Sequence, residues 1–411
     1  MILELARRNL RRGAWRTALA GTALALATAL LVVTLALIEG LFADMVRGVT
    51  RRTGGDALVV RGTTPGAGRP EPIAGAAALV SALRRLPDVA AATPRLRIQG
   101  VLLAADRRAA AEVVGIDPAA EAFVTDLQQM LVEGGQLPGA DGNEVLLGHL
   151  LAKRLGVHTG GGITLITRAS DGLPISENFS VAGILATGDP RRDGTLALAG
   201  IDRISALSGL PGMAHEIGLS LMPAADVRRS AAAIGAALPP GSGLAAIPWQ
   251  ARFPALAEAV RFSRASSWWL IALFHAAAGL VTLIVLVLGA HERRREHAVC
   301  LALGTPATLL RRVIAVEALL LGAASVAAGS LLGAAIVLPL RTHGIDLSRF
   351  IGPVGYAGGT ILPVLHAAPR ADDLLRTGVS LLAVCALAAW ISGRRIARLE
   401  PARVIAGRDA A

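Results

Sequence analysis

Four long apolar stretches decide what this chain can fold into. The first runs from about Ala18 to Leu41, with Glu39 as its only acid, near the far end. The second runs from about Trp268 to Ala290 and the third from about Val313 to Leu340, with Glu317 inside it. The fourth, from about Thr377 to Ile391, is the shortest. A helix of roughly 20 apolar residues crosses about 30 Å of hydrocarbon, so all four are read as transmembrane helices. The first is also far longer than the about 7–15 apolar residues of a signal peptide. It is therefore read as an uncleaved span.

Composition supports a membrane chain. Hydrophobic residues make up 53% and charged residues only 17%, against about 25% charged in ordinary globular proteins. That excludes a disordered chain. The two cysteines, Cys300 and Cys385, make no disulfide framework. Lys153 is the sole lysine and sits in Leu-Ala-Lys-Arg-Leu. A phosphate-cradling loop needs Gly-x-x-x-x-Gly-Lys-Ser/Thr, so the chain carries no ATPase site of that kind.

The net charge of +11 gains meaning from its placement. Arg7, Arg8, Arg11, Arg12 and Arg16 precede the first span. Arg293, Arg294, Arg295, Arg311 and Arg312 lie between the second and third, and Arg394, Arg395, Arg398, Arg403 and Arg408 follow the fourth. Arginine beside short loops marks the cytoplasmic side. Arg341, Arg349, Arg370 and Arg376, between the third and fourth spans, are offset by Asp346, Asp372 and Asp373. The charge thus reads as topology and lipid contact, with no nucleic-acid partner.

The expected order is a cytoplasmic amphipathic helix (1–17), span one (18–42), a large extracytoplasmic region (43–266) and span two (267–290). A cytoplasmic loop (291–312), span three (313–340), an outer loop (341–376), span four (377–392) and a cytoplasmic tail (393–411) follow. In the first helix, Ile2, Leu3, Ala6 and Leu10 share one face and the arginines the other, the pattern of a helix lying in the interface plane.

The region 43–266 alternates short apolar runs with Gly and Pro. Period-two patterning predicts strands at Asp56–Arg61, Leu96–Ala104, Ala111–Ile116, Glu144–Leu147, Gly162–Arg168, Asn178–Ala186 and Glu216–Leu221. Helical periodicity predicts helices at Ala74–Leu86, Ala119–Val132, His149–Leu155, Ile201–Leu207 and Ala224–Leu238. A last helix from about Pro254 runs on into span two. The fold class is thus a four-span α-helical membrane protein with a large extracytoplasmic α+β domain inserted between helices 1 and 2. No catalytic or metal constellation emerges. His149, His158 and His215 lack metal-ligand spacing, and Ser170, with Asp171 and His158, lacks a nucleophile elbow. The chain is expected to be no enzyme.

The loop after span two is the most informative stretch. It reads Glu292-Arg293-Arg294-Arg295-Glu296-His297-Ala298-Val299-Cys300-Leu301-Ala302-Leu303-Gly304-Thr305-Pro306. Val299, Cys300 and Leu303 fall near one helical face, and Gly304 suits the residue just past a helix. Thr305 suits the N-cap and Pro306 the first turn of the next helix. A short helix so placed presents a rigid knob to a soluble partner. The alternative is a basic loop that only sets topology.

This segment, followed by Glu317-Ala-Leu-Leu-Leu-Gly, resembles the permease subunits of MacB/FtsX/Lol-type ABC transporters. Ala6-Arg-Arg-Asn-Leu-Arg-Arg, Trp15-Arg-Thr, Val114-Gly-Ile-Asp-Pro, Glu144-Val-Leu-Leu-Gly-His-Leu-Leu-Ala-Lys-Arg-Leu-Gly-Val, Val181-Ala-Gly-Ile-Leu-Ala-Thr-Gly-Asp-Pro and Arg394-Arg-Ile-Ala-Arg-Leu-Glu-Pro-Ala are similar as well. The chain departs from the family at His297-Ala298, Thr305-Pro306 and Ile391-Ser392-Gly393. The resemblance implies a bacterial inner-membrane protein with both termini cytoplasmic and the large domain periplasmic. It implies pairing with a second copy or a paralogue, and a separate ABC ATPase that binds the ATP, so this chain needs no cofactor of its own. The ATPase would dock on Glu292, Arg293, Arg294, Arg295, Glu296, Val299, Leu303 and Gly304.

The chain looks most like the lipoprotein-releasing, LolC/LolE-like branch, through Gly344-Ile-Asp-Leu-Ser and Leu362-Pro-Val-Leu. That branch implies lipoproteins and a periplasmic chaperone as partners. The chaperone would dock on a hairpin at Ala169–Glu177 with Leu173, Pro174 and Ile175 at its tip; an ordinary turn is the alternative. Efflux of small amphiphiles or peptides, as in MacB, and regulation of a cell-wall hydrolase, as in FtsX, are the competing readings.

Few ionisable groups lie inside the spans, which argues against a channel or secondary carrier. Glu317 either reaches the interface or serves transport, and His275 is expected to hydrogen-bond a neighbouring helix. Gly322, Gly329 and Gly333 allow close helix approach, either across a dimer or within one chain.

Overall fold

The computed structural model describes residues 2–12, 14–62, 71–135, 137–223, 225–292, 294–347, 349–350, 354–356, 359–361 and 364–397. Helix α1 (Ile2–Arg12) precedes α2 (Ala14–Thr53). Then come β1 (Ala57–Arg61), α3 (Ala76–Leu83), β2 (Val89–Ala104), β3 (Arg107–Ile116), α4 (Pro118–Glu121), α5 (Leu127–Met130), β4 (Leu131–Gly134), β5 (Glu144–Gly148), α6 (His149–Leu155) and β6 (Gly162–Arg168). They continue with β7 (Pro174–Leu185), α7 (Pro190–Asp193), β8 (Leu196–Gly200), α8 (Ile201–Ser208), β9 (Glu216–Leu221), α9 (Val227–Ala237), β10 (Leu244–Pro248) and α10 (Trp249–Arg252). Helices α11 (Pro254–Glu292), α12 (Arg294–Ala302), α13 (Ala307–Thr342) and α14 (Ala371–Ala397) complete the order, with two short strand pairs between the last two.

The chain divides into two units. A helical unit comprises Met1–Ala43, Arg261–Leu347 and Val364–Ala411, and a sheet unit comprises Asp44–Val260 and Ser348–Pro363.

In the helical unit, α2, α11, α13 and α14 cover the four apolar stretches, and each is long and apolar enough to cross a membrane. Their lengths exceed that need. The 40 residues of α2 make a rod of about 60 Å. Leu24, Ala278, Val326, Leu381 and Cys385, from all four helices, form one buried cluster.

Glycines set the approach of α13 to its neighbours. A Cβ on Gly322 would lie 3.0 Å from the Cys385 sulfur of α14. One on Gly329 would strike the Ala25 carbonyl of α2, and one on Gly333 would lie 2.9 Å from Val32 of α2. These three residues therefore pack α13 inside the chain. Gly329→Val is expected to lower the melting temperature of the detergent-solubilised protein, because overpacking costs about 1–3 kcal/mol. Ala323→Val, on the exposed face of α13, serves as the control and leaves melting unchanged.

Two polar residues inside the spans also find partners within the chain. Asn9 of α1 donates to the Glu317 carboxylate at 2.5 Å, so α1 is tied to α13. His275 lies with Nε2 2.6 Å from Ser380 Oγ, joining α11 to α14. Trp268 and Trp269 are exposed near the start of the α11 span, where amphipathic rings suit the headgroup level.

The sheet unit is α+β, but its strands do more than the sequence suggests. Six of them close into a β-barrel-like ring, β2–β3–β8–β5–β7–β6 and back to β2. Alternate residues of all six ring strands, with α6 and α8, form the largest core cluster, including Leu102, Val113, Leu147, Leu165, Phe179 and Ala197. Strand β2 is 16 residues long and serves two sheets. Its second half belongs to the ring, while its first half pairs with β9 and so extends the sheet through β1 to β10. Helices α3 and α9 cover that extension through Val80, Leu83 and Ile234.

Within the ten-stranded sheet three strands lie where none is expected: β4, β8 and β10. The expected helix Ala119–Val132 is instead two single turns, α4 and α5, with β4 starting at Leu131. A polar tie interrupts it: Asp126 N–H donates to the Arg51 carbonyl instead of to the carbonyl one turn back. Helix α9 starts at Val227, and the expected start at Ala224 falls outside the described residues.

Candidate functional site

The segment after the second span folds as a discrete short helix. Helix α11 runs on through Glu292, and α12 spans Arg294–Ala302. Gly304 then adopts φ of +88°, a conformation that favours glycine. Its N–H donates to the Leu301 carbonyl, and that of Thr305 to the Cys300 carbonyl. This is the Schellman pattern that ends a helix sharply. The next helix starts one residue later than expected: Pro306 takes the N-cap in an extended conformation, with no side-chain cap. On α12, Ala298 is fully buried, while Val299 and Leu303 are 43% and 81% exposed. Cys300 is half-buried. Glu292, Arg295 and Glu296 are exposed. Arg293 and the Arg294 side chain lie outside the described residues, as does the tail beyond Ala397. The expected docking residues thus form a charged helix with an unpartnered apolar end at Leu303.

A second arrangement carries no sequence motif. The last carbonyls of a helix lack intrahelical partners, and α2 ends inside the sheet unit at Thr53-Gly54-Gly55. Three arginines receive those carbonyls. Arg192 donates to Arg52 O at 2.9 Å. Arg252 donates to Thr53 O at 2.7 Å and Gly55 O at 3.2 Å. Arg95 donates to Gly54 O at 3.2 Å. The negative end of the helix dipole favours these cations. Gly54 and Gly55 have φ of +133° and +99°. A Cβ on Gly54 would lie 2.6 Å from Arg95 Nη1, so glycine is needed for conformation and for space.

Carboxylates hold the clamp in turn. Arg95 sits on β2 directly across from Glu216 on β9. It pairs with Glu121 at 2.7 Å and with Glu216 at 3.2 Å. Arg97, two residues along the same strand, pairs with Glu112 at 2.8 Å and Glu216 at 2.9 Å. Arg95, Glu121 and Glu216 are all buried. Burial alone would lower the Arg95 pKa, but Glu121 and Glu216 outweigh it and raise it. Burial works to raise that of Glu216, but Arg97 and Arg95 hold the carboxyl well below its usual range. Arg252 is pushed down to about 10 by burial, and Arg192 to about 10 by burial and by Arg97 and Arg95. Both stay charged at neutral pH.

The depressed Glu216 pKa fixes the sign of an acid effect. Its stabilisation is full above the unfolded-state pKa of about 4.3 and is lost as pH falls toward the folded value. Thermal melts of the full chain are expected to be flat from pH 7 to about pH 5 and to fall below it. In Glu216→Gln this part of the acid loss disappears from a lower starting stability. An identical acid profile for both proteins would rule out Glu216 as its source.

The sequence matches two known families. Residues 17–237 match the MacB-like periplasmic core domain, and residues 268–401 match the FtsX-like permease C-terminal domain. The chain belongs to the MacB/FtsX-type permeases of ABC transporters. These are permease components, generally non-catalytic, and the family implies an ABC ATPase partner. The chain is similar to the periplasmic region of MacB from Actinobacillus actinomycetemcomitans, with 12% identity, 48% of this chain and 91% of that one covered, and a TM-score of 0.37. It is also similar to the extracellular domain of the noncanonic ABC-type transporter YknZ from Gram-positive bacteria, with 10% identity, 46% and 97% covered, and a TM-score of 0.35. No curated protein gives a match.

In this permease the expected docking hairpin is smaller than its sequence suggests. Strand β7 already begins at Pro174, paired with Arg168 of β6, so the turn is only Ala169–Leu173. Leu173 is 63% exposed and Pro174 is exposed. Ile175 instead packs against the ring core and leaves the apolar tip. Asp171 accepts from Leu173 N–H, and Ser170 N–H donates to the Ser208 carbonyl, so the turn is anchored on α8. His158 lies beside Glu133, 3.5 Å away, and forms no triad with Ser170. Among the described residues no His, Cys, Asp or Glu cluster suits a metal ion.

Proposed function

We propose that this permease passes motion from a separate ATPase through α2 and α11 to the sheet unit, and that its cargo is lipid-anchored protein. The arginine clamp carries the motion-transfer reading, and the cargo rests on the likeness of Gly344-Ile-Asp-Leu-Ser and Leu362-Pro-Val-Leu to the lipoprotein-releasing branch. Arg252 lies two residues before α11 begins and holds the last carbonyls of α2. One side chain therefore joins the end of one long helix to the start of another. Any tilt of either helix loads the clamp, and through Arg95, Glu121 and Glu216 it loads β2 and β9. Helix α12 supplies the input. Its flanking arginines favour the cytoplasmic side, and Leu303 gives the ATPase an apolar anchor. The sheet unit then faces the periplasm, and Leu173 and Pro174 form a small contact for a chaperone.

The test is to purify the tagged full chain from its native bacterial membrane in mild detergent and identify its companions. An ABC ATPase together with a lipoprotein or periplasmic chaperone is the expected result. An adaptor with an outer-membrane duct would replace the cargo reading with efflux, and a cell-wall hydrolase would replace it with regulation. No ATPase, even after crosslinking with ATP trapped, would overturn the motion-transfer reading.

A further inference from the structure

A cavity of the helical unit lies between α2, α11 and α14 and has a volume of about 900 Å³. That is at the upper end of the about 300–1,000 Å³ typical of ligand pockets. Its walls are apolar, with Ile38, Ile271, Val379 and Ala383 among them, and its mouth carries Glu39, Arg370, Asp372 and Arg376.

The two ends sit at different depths. Trp268 marks the headgroup level on α11, and His275 lies seven residues deeper, about 10 Å along the helix. On α14, Arg376 is at the mouth and Ala383 lies the same about 10 Å below it. His275 and Ser380, bonded to each other at 2.6 Å, also line the cavity. The shape is therefore a polar rim over an apolar shaft, opening at the membrane interface.

The rim charges point to the headgroup. Arg370 is neutralised by Glu39 at 3.2 Å. Arg376 and Asp372 are both exposed, have no ion-pair partner among the described residues, and lie one helical turn apart on α14. A guanidinium presents a fork of donors suited to phosphate, and a carboxylate one turn away suits an ammonium. The pair offers one positive and one negative site, which favours a zwitterionic head over an anionic one.

We propose that this cavity is a binding site for a zwitterionic diacyl phospholipid of the phosphatidylethanolamine type. The phosphate lies on Arg376, the ammonium on Asp372, and an acyl chain runs down the shaft toward Ala383. The lipid comes from the leaflet nearest Trp268. The site rests on the membrane reading of the four helices and not on ATPase coupling, so failure of the one leaves the other standing.

Native mass spectrometry of the full chain tests it, after reconstitution in nanodiscs of phosphatidylethanolamine and phosphatidylglycerol and release into detergent. The wild type is expected to keep one phosphatidylethanolamine per chain. Ala383→Trp and Ala272→Trp, on the α14 and α11 walls, fill the shaft and are expected to lose it. Arg376→Gln is expected to cut retention by about tenfold or more, the change expected from losing one charge-assisted hydrogen bond. Unchanged melting temperatures show that the variants fold. Equal retention in the wild type and both tryptophan variants would overturn the site. A phosphate-free diacylglyceryl lipopeptide that binds in place of phospholipid, indifferent to Arg376→Gln, would overturn the phospholipid assignment in favour of a protein's lipid anchor.

Discussion

Arg95→Ala is expected to cost about 3–5 kcal/mol, the penalty for breaking a buried ion pair and stranding its partners. Among the described residues Glu121 would keep the Thr125 hydroxyl as its one side-chain donor, and Glu216 would keep Arg97 alone. Domain stabilities are only about 5–15 kcal/mol, so this one change removes a large share. Chemical denaturation of the full chain, read by fluorescence of Trp249, which is buried in the sheet unit beside Val49 and Leu256, reports it. The double variant Arg95→Met, Glu121→Leu separates two causes. If uncompensated charge is the damage, the double variant recovers much of the loss, because apolar replacement of a buried pair is often neutral. If the lost bond to the Gly54 carbonyl dominates, it stays as unstable as Arg95→Ala.

Leu303→Asp has the second large effect, on partner binding rather than on folding. Leu303 follows α12 and is mostly exposed, so the substitution leaves the fold unchanged. At the centre of an interface the loss of an apolar anchor and the burial of a charge exceed about 2 kcal/mol. That is roughly 30-fold weaker binding to the ATPase. Co-purification with the ATPase and the stimulation of its turnover are both expected to fail, with the melting temperature of the permease unaltered. Normal stimulation would move the docking surface away from α12.

The spans were legible because their signal is length and hydrophobicity, which local sequence carries in full. Strands β6 and β9 were legible for a similar reason: Gly162–Arg168 and Glu216–Leu221 match their observed limits. Strand β8 was not. Its sequence Leu-Ala-Leu-Ala-Gly has both faces buried, with Ala197 and Ala199 toward the ring core and Leu196 and Leu198 toward a second cluster. A strand covered on both faces loses the alternation that marks it. Closure of the ring is set by pairings such as β6 with β2, about 60 residues apart, which no local pattern encodes.

The clamp was hidden for a different reason. Arg97 falls in the expected strand Leu96–Ala104 and Glu121 in the expected helix Ala119–Val132, while Arg95 lies just outside that strand. Their partners come from the end of α2, from β9 and from β3, and Arg192 and Arg252 join from α7 and α10 through the same helix end, so the site exists only in the fold. The hairpin tip was overestimated because Ile175 was counted as loop, whereas the register places it on a core-facing strand position.

The central claim is that ATP binding outside this chain moves the sheet unit. The direct measurement is a spin-label distance between Arg12, exposed on α1, and Arg108 at the β2–β3 turn. It uses the full permease with its ATPase in nanodiscs and with Cys300 and Cys385 replaced. A shift of several ångström between the ATP-free and ATP-trapped states is the expected result, and Arg252→Ala is expected to abolish it while ATP turnover continues. Identical distance distributions in the two states, with the ATPase bound and active, would contradict the account.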